Sequence, residues 1–164
     1  MTKFLLAVHV LAAIVAIGPV TVAASMFPPA ARRALEAPDD LRAAETLRLL
    51  HRICRAYALV GVVVPVFGFA TASNMHVLGS AWLITSIALT ALAALVLVAL
   101  VLPQQTALVE AGSGAGTGTG TTAGSGAVTR QATVQLAMFT GLFNLLWAVV
   151  TVLMIVRPGS TTGA

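Results

Sequence analysis

"FLLAVHVLAAIVAIGPVTVAASM" occupies residues 4–26. At 1.5 Å per residue a helix of that length reaches past the ~30 Å hydrocarbon core of a bilayer. The stretch holds no formally charged residue, and its one titratable side chain is His9. Such a run has no stable place in a water-soluble fold of this size, so it sets the class: a membrane helix. A secretory signal peptide has an apolar core of only about 7–15 residues. Lys3 and Val22-Ala23-Ala24 would suit such a peptide's basic end and cleavage site, but the run is too long, and we expect it to be retained.

Moving outward, three more runs qualify, at about 54–72, 80–102 and 134–156. The clearest is "IALTALAALVLVALVL", inside the third. Hydrophobic residues make up 59% of the 164-residue chain and charged residues 9%, with a mean hydropathy of +0.99. Soluble globular chains carry about 25% charged residues. The expected architecture is therefore an all-α polytopic membrane protein: one domain over residues 1–164, with four transmembrane helices in a bundle.

Prolines punctuate this plan. Pro28-Pro29, Pro103 and Pro158 stand at the exits of three spans, where helices are expected to stop. Pro19 and Pro65 lie within spans and predict kinks. Only Gly18-Pro19 and Gly61/Pro65 hint at the interrupted helices of secondary transporters, and no inverted repeat relates the halves. A small-solute transporter is thus the weakest of the functional readings.

The net charge of +4 and a pI near 10.7 carry topology rather than nucleic-acid recognition, which calls for a basic polar face. Arg32, Arg33, Arg42, Arg48, Arg52 and Arg55 lie between spans one and two, and Arg130 between spans three and four. Only Lys3 and Arg157 stand on the other side. By the positive-inside rule both arginine-bearing loops are cytoplasmic and both termini outside, in a bacterial cytoplasmic membrane. The lone Cys54 permits no internal disulfide.

"PDDLRAAETLRLLHRICR" (38–55) predicts a helix that starts with acidic residues in its first turn. Arg48, Arg52 and Arg55 share one face at i, i+4 and i+7. That face is either a lead-in whose arginines snorkel to anionic lipid head groups, or a docking surface for an anionic ligand or a partner subunit. "GSGAGTGTGTTAGSG" (112–126) is low-complexity, and a flexible Gly-rich loop is expected over 111–127.

Intramembrane polar groups are the functional leads. His9 lies ~9 Å below the outer interface, counting from Lys3. It shares a stripe with Ala13, Ala16 and Val20, and Ala12/Ala16 form a small-xxx-small pair, so His9 is expected to face the bundle. It is either a neutral imidazole bonded to a neighbouring helix, or an axial ligand to haem iron or a proton acceptor beside a quinone. A second haem ligand would have to come from His76 or Met75, on the same outer side. Beyond Met75-His76 there is no Met/His cluster suited to copper, and no Cys/His pair at zinc spacing.

Asn144, in "MFTGLFNLLWAVV", is expected to hydrogen-bond across helices. Trp147 nearby reads as bundle packing. Trp82 and Tyr57 fit the outer and inner interfacial belts.

The stretch "FLLAVHVLAAIVAIGPVTVAASMFPPAARRA" resembles the opening of a bacterial family of small four-span integral membrane proteins of unknown function. More distantly, the chain is similar to the copper-resistance D family and the HemJ-type protoporphyrinogen oxidases. The shared outline is His9, Phe27-Pro28 with Arg32, Pro65, Trp82, Asn144 and Arg157-Pro158. The resemblance implies haem b as a cofactor, with His9 as its ligand. It also implies a functional lysine shortly after the span-three tryptophan. Here that stretch is "WLITSIAL", with Ser86 about where the lysine would stand, and Lys3 is the only lysine in the chain.

No acidic residue lies in a span and no acid–base pair is evident. The leading expectation is thus a non-catalytic membrane protein: an accessory subunit or lipid-contacting component that meets the bilayer, other membrane subunits or copies of itself. The rival is a haem- or quinone-associated redox protein using His9.

Overall fold

A computed structural model of the chain describes residues 2–37, 39–112 and 122–159. Among them the chain forms six α-helices, one π-helical segment and no strand. The helices are α1 (Thr2–Glu36), α2 (Leu41–Val60), α3 (Val63–Asn74), α4 (Ala81–Leu95), α5 (Leu102–Gly112) and α6 (Thr122–Val156). The π-helical segment, Val96–Val101, joins α4 to α5. Four stretches are long and apolar enough to cross a membrane: Lys3–Glu36, Leu41–Asn74, Ala81–Ala111 and Arg130–Val156. The protein is an all-α four-helix bundle of multi-pass membrane type.

Two of the proline stops expected from the sequence are not stops. α1 runs through Pro28 and Pro29 to Glu36. Packing overrides the local preference there: Phe27, Ala31 and Ala34 are buried in one cluster with Leu47, Leu50 and Cys54 of α2. The third helix also continues past Pro103. A proline ring clashes with the carbonyl four residues back, and here the register has already widened. Leu102 N–H bonds to the Leu97 carbonyl, five residues behind it. Pro158 does follow a helix end, at Val156.

Pro65 breaks its helix. Lacking an N–H, it cannot bond the Gly61 carbonyl, and Val64 N–H takes that oxygen instead at 3.2 Å. The chain turns over Gly61-Val62 between α2 and α3. The expected Gly-rich loop lies partly outside the described residues. α5 extends to Gly112 and α6 begins at Thr122.

α1 lies against α2, α3 and α6, while α4 and the π-helical segment lie against α6 and α5 lies against α2. The main core gathers at the arginine-bearing end and mid-membrane: Phe27, Leu47, Leu50, Cys54, Val101, Leu108, Leu136 and Phe143 among others. A second cluster at the opposite end holds only Ala72, Trp82 and Leu83, with Val77 and Met154 beside it. Trp82, expected in an interfacial belt, stands at the start of α4 but does not open to lipid. It is instead buried, beneath the Arg157 guanidinium at 5.9 Å from its ring centroid.

Candidate functional site

His9 sits near the N-terminal end of α1, half-buried against α3. Its Nδ1 lies 2.9 Å from the Val64 carbonyl oxygen. A carbonyl only accepts, so Nδ1–H donates and Nε2 carries the lone pair. The ring rests in a notch left by Gly68. A Cβ there would come within 2.8 Å of His9 Cε1 and 3.1 Å of Nδ1. The break before Pro65 and the missing side chain at 68 together seat the imidazole.

His76 is not brought to His9. It lies exposed in the turn after α3, with a φ of 56°. Gly68, against which His9 packs, is eight residues earlier, about 12 Å along a helix axis. Among the described residues no three His, Cys, Asp or Glu side chains gather where they could hold a metal. The haem b that the resemblance implies would need a ligand on each face to be six-coordinate. Of the two histidines that could serve, only His9 is seated against a neighbouring helix, and His76 is not beside it.

Asn144 Nδ2 donates to Ser25 Oγ of α1 at 3.2 Å, a link across helices. Its Oδ1 is buried without a partner, as are Trp147 Nε1 and Thr140 Oγ1 on the same stripe of α6. Trp147 packs edge-on to Phe143, with centroids 6.4 Å apart. Pro65 is exposed and acts through the break it causes.

On α2, Arg48, Arg52 and Arg55 are all exposed. The opposite side of the helix, Leu47, Leu50 and Cys54, is buried. Asp40 caps the helix, its Oδ1 accepting from Arg42 N–H at 3.0 Å and Ala43 N–H at 3.3 Å.

One polar cluster escaped the sequence reading. Gln105 of α5 is fully buried. Its Oε1 accepts from His51 Nδ1–H at 3.2 Å, and its Nε2 donates to Cys54 Sγ at 3.5 Å. Thr106 Oγ1 lies 3.5 Å from His51 Nε2. The available signal was helical spacing: Leu97, Val101 and Leu108 are buried at positions that place Gln105 on the same face.

No family model, curated protein or solved structure matches this chain.

Proposed function

We propose that this chain is a non-catalytic membrane component, an accessory subunit or lipid-contacting element of a larger assembly. It would lie in a bacterial cytoplasmic membrane, with its arginine-rich loops inside and both termini outside. One observation carries the reading. In the most apolar stretch of each of the first two membrane segments only 11% of the residues are buried within the molecule, against 28% and 22% in the third and fourth. Val10, Leu11, Ile14 and Val15 of α1, with Val66 and Phe69 of α3, stand exposed. This pair of segments therefore offers the larger share of its apolar surface to lipid or to neighbouring helices. Extraction in mild detergent, with mass measured by light scattering, tests it. A complex larger than the single chain is expected, and a solitary monomer under several gentle conditions overturns it.

One geometric feature favours a second reading, a redox protein associated with a quinone or haem. His9 has one ring nitrogen fixed by a backbone carbonyl and a lone pair on the other, the form needed to ligate a metal or accept a hydrogen bond. An absorption spectrum of purified protein supplied with haem decides the haem branch: a Soret band, lost in His9→Ala. A flat spectrum removes it.

A further inference from the structure

The turn joining α1 to α2 borders a half-open notch of about 220 Å³, lined by Ala30, Arg33, Asp40, Arg42, Ala43 and Thr46. We infer that this notch holds the phosphate of one anionic phospholipid head group.

Its walls are small side chains from two helices, Ala30 from α1 and Ala43 with Thr46 from α2. The Thr46 hydroxyl is turned away, bonded to the Arg42 carbonyl at 2.8 Å. The charges are two guanidiniums against one carboxylate. Asp40 keeps its charge while its Oδ1 accepts from the Arg42 and Ala43 N–H groups, so the lining carries a net single positive charge. Among the described residues, no carboxylate stands in ion-pair contact with Arg33 or Arg42. Arg32, Glu36 and Asp39 flank the turn without lining the notch. A guanidinium matches a phosphate's oxygens in geometry as well as charge.

Position selects a lipid over a free ion. The notch opens where α1 leaves its long apolar stretch, the position from which an arginine reaches lipid head groups. Met26 and Leu41, 54% and 76% exposed, stand in the adjoining turns of α1 and α2. A dissolved phosphate gains nothing from such neighbours, whereas acyl chains do. The notch is distinct from the exposed face of Arg48, Arg52 and Arg55, which offers charge without an enclosing wall.

This inference rests on the lipid-contacting reading above, but its test needs only the purified chain. Native mass spectrometry of the full-length protein in detergent, given equal phosphatidylglycerol and phosphatidylcholine, should show one retained phosphatidylglycerol. The expected preference is about tenfold. Arg33→Gln with Arg42→Gln should abolish it. Ala43→Leu, which fills the notch and leaves every charge in place, should do the same and decides the matter if the double variant misfolds. Arg48→Gln, Arg52→Gln and Arg55→Gln together should leave it intact. Equal binding of the two lipids overturns the inference, as does loss in the triple variant alone. Displacement of the lipid by excess inorganic phosphate overturns the commitment to a lipid. None of these results bears on whether a partner co-purifies.

Discussion

The two ends of the bundle treat a histidine differently. At the arginine-bearing end, His51 is fixed by Gln105, a fully buried side chain that also reaches Cys54. Its second nitrogen faces the Thr106 hydroxyl. At the other end, His9 is held by one carbonyl and the notch at Gly68. The first arrangement ties α2 to α5 through Gln105, since the Thr106 hydroxyl already gives its proton to the Leu102 carbonyl at 3.1 Å. The second orients the ring and leaves Nε2 for something else. The packing follows the same division, with the large core around His51's end and the small one near Trp82. His51 is tied to a side chain of a neighbouring helix, and His9 to a backbone carbonyl.

The largest effect should come from breaking His9's seat. Gly68→Leu puts atoms where the imidazole lies and should cost about 3 kcal/mol, the upper end for overpacking. Nitrogen NMR should at the same time show the loss of the Nδ1-protonated form, and an unchanged His9 spectrum would contradict the seat. At the opposite end, Gln105→Leu keeps the volume but strands the His51 donor. It should lower unfolding stability in detergent by about 2 kcal/mol. A neutral outcome would mean the cluster does not tie the helices.

Smaller changes sharpen the contrast. Asp40→Ala removes the cap of α2 and should cost about 1 kcal/mol, read as a lower melting temperature by circular dichroism. Asn144→Leu should cost least, about 0.6 kcal/mol by steric-trap unfolding. It removes the bond to Ser25 but also the unpartnered buried Oδ1. A loss several times larger would show that Oδ1 has a partner in the membrane.

Most of the fold was legible because length and apolarity alone specify membrane helices. The inward face of α1 was readable from small residues at helical spacing, and Ala16 and Val20 are indeed buried. The prolines were harder. Pro28 and Pro103 look like Pro158 in the chain, yet only Pro158 meets no packing or register that carries a helix past it. The His51–Gln105 contact joins residues 54 positions apart, a distance over which periodicity is silent. Nothing in "VLVALV" marks a wider helical turn, since that register is set by the ring of Pro103 beyond it.

The four apolar segments run to 34, 34, 31 and 27 residues. As helices these are roughly 40–50 Å long, beyond the ~30 Å of hydrocarbon. The dense cluster around Phe27 and Leu47 lies at the arginine-bearing end, and the thin one around Trp82 at the other. Helices longer than the hydrocarbon layer meet it by tilting or by extending past it, so such a bundle accommodates membranes of different thickness.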